Sequence, residues 1–255
     1  MAKGETKMPP VCEYSTWMMR SSDAHEKIEP KRKYVFICEG RNTEERYFRA
    51  VINRIKDLDL DPRVDIRLWE KTEDDKGLSN PMALVRFAHK EKENEDLRYV
   101  PGHDFMVIVF DADIYCRVGE GRTGAGEGLA EYQRVLDELE QDDIPAVTNP
   151  SFELFLLLHQ EGAYERTVLP HAKELLENRK VGSKRYVQTL FTSVFNMNPK
   201  KSLRVGTLAK DVDIAIAEER GLNQEVRDAN LCLNHLTCNI GSTIKRICDD
   251  TLLLD

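Results

Sequence analysis

The chain has 255 residues, 41% hydrophobic and 32% charged, enough for one large domain or a domain with a substantial appendage. No apolar run approaches the roughly 18–20 residues of a membrane span, and the polar, basic residues 1–10 lack the apolar segment of a secretory signal. A net charge of −8 argues against indiscriminate duplex binding by the whole surface, and six cysteines without a CxxC pair read as reduced thiols, so a cytoplasmic protein is expected.

Residues 1–30 lack clear periodicity and are expected to form a loose arm. Lys33 to Cys38 is a β-branched and aromatic run that reads as a buried strand ending on Glu39-Gly40. Asn42 is the expected cap of the next helix, with Glu45 completing a capping box. That helix puts Tyr47, Phe48, Val51, Ile52, Ile55 and Leu58 on one face. Val64 to Trp69 alternates as a second strand. Ser79 or Asn80 caps a helix starting at Pro81, with Leu84, Val85 and Ala88 inward. Phe105 to Phe110 is the third strand and runs straight into Asp111-Ala-Asp113. Arg117 to Gly128 holds five glycines and reads as a flexible loop. It lacks GK[ST] and is no P-loop. Leu129 to Leu139 is a helix, and Ile144 to Val147 a short fourth strand. Asn149 then reads as the cap, and Pro150 as the first residue, of a helix running to His159. This alternation predicts an α/β core over 31–159, a mainly parallel four-stranded sheet flanked by helices. Residues 160–255 read as mostly helical, with an irregular stretch from Asn196 to Gly206.

A carboxylate at the tip of a buried strand is costly unless something uses it. In open α/β sheets ligands collect outside the carboxyl ends of the strands, and several acids map to that rim. Glu39 ends the first strand, and Asp111 and Asp113 follow the third. Glu153 opens the helix after the fourth. Glu44 lies three and four residues before Tyr47 and Phe48, so it points with the apolar face. Glu45 points elsewhere and can pair with Arg49. Asp111 and Asp113 share a face if the backbone stays extended. An all-oxygen set suits Mg²⁺ or Mn²⁺. His159 and His171 are candidate bases without a visible orienting partner. Cys232, His235 and Cys238 would share a helical face and could begin a zinc site, but no fourth ligand is evident.

Charge is unevenly spread. From Arg179 to Lys210 there is no acid, while Arg179, Lys180, Lys184, Arg185, Lys200, Lys201, Arg204 and Lys210 give a formal +8, leaving −16 for the remainder. The segment is expected to face an anionic partner, nucleic acid or an acidic protein.

The Glu39-Gly40 and Asp111/Asp113 signatures resemble a Toprim domain, the metal-binding α/β module of topoisomerases, primases and OLD-type nucleases. A closer resemblance is to the RloB-like family. It rests on Cys38-Glu-Gly-Arg-Asn-Thr-Glu44 with Tyr47-Phe48, on Phe110-Asp-Ala-Asp113, and on Asn149-Pro-Ser-Phe-Glu-Leu-Phe-Leu-Leu-Leu-His159. Asn239-Ile-Gly-Ser-Thr243 is similar to a family tail motif more loosely. The resemblance covers roughly residues 31–250. It implies an antiphage defence nuclease, often encoded beside an ABC- or AAA-type ATPase. Two divalent ions would be held by Glu39, Glu44, Asp111, Asp113 and Glu153, with Lys184 as a supporting catalytic lysine. Expected partners are a nucleic-acid substrate and that ATPase, with homo-oligomerisation left open. The rival reading is a non-catalytic Toprim-fold binding or regulatory subunit. Topoisomerase and primase chemistry fit less well. The chain is short for a DNA gate, and the zinc module of primases is absent.

Overall fold

The computed structural model describes residues 32–40, 42–57, 64–69, 80–116 and 125–252. The expected arm at residues 1–30 and most of the glycine-rich stretch lie outside them. Strands β1 (Arg32–Cys38), β2 (Val64–Leu68), β3 (Phe105–Asp111) and β4 (Asp143–Asn149) run parallel. A hairpin of β5 (Lys180–Val181) and β6 (Lys184–Arg185) stands apart from this sheet. The sequence predicts four strands in the main sheet, and there are five among the described residues. β7 (Thr237–Cys238) adds antiparallel to Thr148 and Asn149, giving the order β2-β1-β3-β4-β7. Two residues pairing with a segment so distant in sequence leave no local pattern to read.

The parallel strands are buried on both faces, as their nearly continuous apolar runs require. Tyr34, Phe36 and Cys38 point to one side, where they meet Tyr47, Phe48, Val51 and Ile52 of helix α1 (Thr43–Asp57). The side chains of Ile55 and Leu58 lie outside the described part. Val35 and Ile37 point to the other side. There they meet Leu84, Val85 and Ala88 of α2 (Pro81–Lys92). Phe48, 1% exposed, contributes about 1.5–3 kcal/mol by burial alone. Asn80 caps α2, its Oδ1 accepting the Ala83 N–H at 2.8 Å, with Pro81 in the first turn.

Three further helices bear on the site. α3 (Asp113–Cys116) follows β3, α4 (Ala125–Glu138) covers the α2 face, and α5 (Glu153–Leu157) follows β4. α4 starts four residues earlier than Leu129, so the expected loop is helical from Ala125. Gly128 is the reason this helix packs so closely. A Cβ there would stand 1.8 Å from the Tyr115 carbonyl oxygen. Gly126, two residues earlier on the exposed side, has nothing within 4 Å of such an atom. Gly128→Ala should therefore cost about 1–3 kcal/mol by overpacking, despite alanine's better helix propensity. Gly126→Ala should instead be neutral or stabilise by up to about 1 kcal/mol. Urea denaturation of both variants checks this, and equal effects would refute the close packing.

The C-terminal region is mostly helical and folds back mainly on the α1 side of the sheet, while α9 packs on the opposite face. It supplies α6 (Ala172–Glu177), α7 (Tyr186–Phe195), a 3₁₀ stretch Leu203–Asp211, α8 (Val212–Glu218), α9 (Ala229–Asn234) and α10 (Ile240–Leu252). Phe191, Val205, Ile240, Ile244 and Ile247 share the core of Phe36 and Phe48. Asn239 acts as an extra rung beside β4: its Oδ1 accepts the Val147 N–H at 2.6 Å and its Nδ2 donates to the Pro145 carbonyl at 2.8 Å. The buried Glu219 carboxylate closes the start of α10, accepting the Gly241 and Ser242 N–H groups at 2.7 Å each. The tail motif thus works in packing.

Asn149 departs from its expected role. It is the last residue of β4, Pro150 follows in a cis peptide, and α5 begins only at Glu153. The Asn149 side-chain amide donates instead to the carbonyls of Cys232, Leu233 and His235 at 3.0–3.2 Å. An Asn-Pro pair closing a strand has the same local signature as a capped helix start, so sequence alone misplaces it.

Candidate metal centre

The chain leaves β1 for β2 on one side and β3 for β4 on the other. This topological switch opens a crevice at the carboxyl ends of β1 and β3, where such sheets bind ligands. Glu39 and Asp111 stand on either side of it. The Glu39 N–H donates to the Val109 carbonyl at 2.9 Å and prolongs the ladder by one residue. Its Oε2 accepts the Asp111 N–H at 3.2 Å. Asp111 Oδ1 accepts the Thr148 hydroxyl at 2.7 Å and the Phe152 N–H at 2.9 Å. Both donors act on one oxygen, which orients the carboxylate and leaves Oδ2 for another partner.

Glu153, 4% exposed, opens α5 and accepts the Ser151 hydroxyl at 2.7 Å. Asp113, 9% exposed, does not continue the strand as the extended reading of Asp111-Ala-Asp113 requires. The Ala112 N–H bonds Thr148 and the Tyr115 N–H turns back to Ala112, so α3 begins at Asp113 itself. Glu44 lies in the first turn of α1 with its carboxylate against Gly40. A Cβ at Gly40 would stand 2.0 Å from Glu44 Oε2. The glycine after Glu39 therefore makes room for a second acid.

The electrostatics join these residues into one group. Burial, then the charges of Glu44, Glu39, Asp113 and Glu153, hold the Asp111 carboxyl well above the usual range. Burial first, with Glu153 and Glu39 adding, pushes Glu44 up to about 7, while Lys200 works the other way. Acids brought together out of water are unfavourable without protons or a cation between them. All donors are oxygens, which suits a hard divalent ion. Their spacing is looser than an inner coordination sphere. Among the described residues, the only three candidate ligands with atoms all within 4.8 Å of one another are His89, Glu140 and Asp143. That trio lies at the other end of the sheet and already has its cation, with Lys92 Nζ 2.8 Å from Glu140 and 2.7 Å from Asp143. The wider acid group fits Mg²⁺, which keeps several waters and takes one or two carboxylates directly.

Lys184 is not placed with the acids. Its ammonium lies 3.4 Å from Thr192 Oγ1 on α7. Lys200 is the cation that acts on Glu44. It is brought there because the Thr43 hydroxyl donates to the Pro199 carbonyl at 3.1 Å, pinning that turn to the start of α1. Sequence reasoning also missed Thr148, Ser151 and the Phe152 N–H, which orient the acids. Their only signal was nearness to Glu153 in the Asn149–Glu153 motif.

The acid-free segment divides in two. Arg179, Lys180 and Arg185 border a cleft of about 440 Å³ that reaches Asp113. Lys200, Lys201, Arg204 and Lys210 follow α7 and lie along α1, where the Arg46 guanidinium reaches the Ser202 carbonyl at 3.5 Å. Arg179 pairs with Glu177 at 3.1 Å.

Neither histidine joins the acids. Tyr47 Oη lies 2.8 Å from His159 Nε2, and Nδ1 lies 3.2 Å from both the Phe155 and Leu156 carbonyls. Nδ1 therefore donates, Nε2 accepts, and burial holds the ring's pKa down at about 4. His171 Nδ1 meets Tyr186 Oη at 2.9 Å. The zinc reading also falls. α9 ends at Asn234, so Cys232 packs on one side of the sheet and Cys238 on the other, where its thiol donates to Glu219 Oε1 at 2.9 Å.

No helix among the described residues is long and apolar enough to cross a membrane. The molecule is a mixed α/β protein with a mainly parallel sheet and a cluster of acids at its switch point. A family model described as RloB-like protein matches residues 34–248, and the chain belongs to the RloB-like family. No curated protein and no solved structure matches it.

Proposed function

We propose that this chain is a divalent-metal-dependent nuclease with a Toprim-like core, hydrolysing phosphodiester bonds of DNA or RNA. The observation that carries the reading is the convergence of Glu39, Glu44, Asp111, Asp113 and Glu153, with burial and mutual repulsion raising Asp111 and Glu44. Mg²⁺ or Mn²⁺, as one ion or two, would supply an activated water and offset charge on the phosphate. Glu39 and Asp111 would hold the ion, and Thr148 with the Phe152 N–H fixes the Asp111 oxygen in place. Lys200, whose charge acts on Glu44, would be the supporting lysine in place of Lys184. The basic residues on either side of α7 would grip the backbone. The resemblance further supports a role as an antiphage effector working with an ABC- or AAA-type ATPase.

The test is cleavage of plasmid DNA, single-stranded DNA and transfer RNA with Mg²⁺, Mn²⁺ or chelator. Wild type should cut at least one substrate only with metal. Asp111→Asn and Glu39→Gln should each lower the rate at least about 100-fold while the fold persists, as expected for groups that stabilise reacting charge. Metal-independent cutting, or full activity in both variants, would refute the assignment. Binding without cleavage would favour the non-catalytic reading.

A further inference from the structure

The cleft that reaches Asp113 contains a feature that the acid site does not use. Asn178 lines it together with Asn149, Pro150, Arg179, Lys180 and Arg185. Asn178 is 5% exposed and adopts the left-handed conformation, φ 39°, at the end of α6. Its Oδ1 accepts the Val187 N–H at 3.2 Å. That bond settles the amide's orientation, because Nδ2 in the same place would set donor against donor. Nδ2 is then buried with no hydrogen-bond partner. A buried, oriented, unsatisfied donor is rare in folded proteins and calls for an explanation. Here it lines a cleft shared with Arg179, Lys180 and Arg185, with Glu177 beside Arg179 and with the site acid Asp113.

We propose that this cleft binds one unpaired nucleotide of the substrate strand. Arg179, Lys180 and Arg185 take the phosphate, and Asn178 Nδ2 donates to an acceptor on the base or sugar. The inference rests on the nuclease reading, since Asp113 links the cleft to the acids. It adds the substrate class: single-stranded nucleic acid or a nucleotide extruded from a duplex. A base still stacked and paired in a duplex cannot enter a pocket of this kind. The shared chemistry, a nucleoside monophosphate unit, could also come from a free nucleotide, so the test separates the two.

The experiment uses the full chain in Ca²⁺. A labelled 12-nucleotide single strand and the blunt duplex of the same sequence are titrated by fluorescence anisotropy, with adenosine, cytidine, guanosine and uridine monophosphates as competitors. The single strand should bind at least about 10-fold tighter than the duplex. Asn178→Asp keeps the Val187 acceptor and the left-handed backbone but replaces the donor. It should erase the preference for single strand while leaving duplex binding within about twofold. Arg185→Gln should weaken the single strand more than the duplex and serves if Asn178→Asp fails to fold. Equal binding of strand and duplex by wild type, or an unchanged preference in both variants, overturns the proposal. So does tight binding of a monophosphate that the strand fails to displace, which would make the cleft a free-nucleotide site. Metal-dependent cleavage of any substrate in the same preparations shows whether the nuclease reading stands independently.

Discussion

Glu44→Gln is expected to raise the melting temperature of the metal-free protein at pH 8 and to leave it nearly unchanged at pH 4.5. Glu44 titrates near its ordinary 4.5 when unfolded and at about 7 in place, chiefly because it is buried and then because Glu153 and Glu39 repel it. A carboxyl whose pKa is raised by folding gives stability that is full below 4.5 and lost as pH rises through 7. At pH 8 the folded protein carries that penalty, and glutamine removes it without changing size. The shift corresponds to at most about 3 kcal/mol, so a gain of about 1–3 kcal/mol is expected, several degrees for a chain of this size. Mg²⁺ should raise the melting temperature of wild type at pH 8 and raise that of the variant less. Scans at the two pH values, with and without Mg²⁺, decide the matter. A destabilised variant at pH 8 would mean that Glu44 already has its counter-charge inside the protein.

The second large effect is a separation of stability from activity at Gly40. The three atoms nearest to an alanine Cβ there all belong to the far end of the Glu44 side chain, which can swing away. Folding should lose less than about 1 kcal/mol relative to wild type, within the ordinary cost of an accommodated substitution. The carboxylate would be displaced by an ångström or more, and misplacement of that order costs roughly 100-fold in rate. Gly40→Ala should therefore melt within a few degrees of wild type and be nearly inactive. Cleavage at the wild-type rate would remove Glu44 from the reaction.

The strands and the acids at their ends were legible because both signals are local. Tyr34 to Cys38 and Phe105 to Phe110 are apolar runs of strand length, each stopped by a carboxylate. Glu44 was legible from helix phase alone, three and four residues before Tyr47 and Phe48. What could not be read depends on contacts between remote segments. Lys184 and Lys200 look alike in a basic stretch, and only the Thr43–Pro199 bond tells which one is held at the start of α1, where its charge acts on Glu44. β7 is too short to show a period, and Asn149 carries the residue type of a helix cap while serving as the end of a strand. The chain turns into α3 at Asp113, where the Tyr115 N–H bonds back to the Ala112 carbonyl, at a strand boundary that no pattern marks.

The three carbonyls gripped by Asn149 come from residues 232, 233 and 235, while every acid of the site precedes residue 154. The acids are therefore synthesised before the segment that braces β4. At roughly 5–20 residues per second a ribosome needs several seconds more after Glu153 to make the segment that braces β4. Through that interval the nascent chain holds all five carboxylates with the free edge of β4 uncovered. On the nuclease reading, the acid site would stay unbraced until residues 232 to 235 have been made. Ribosome-bound chains stalled before residue 229 should be protease-sensitive at β4, and resistance there would show that the brace is dispensable.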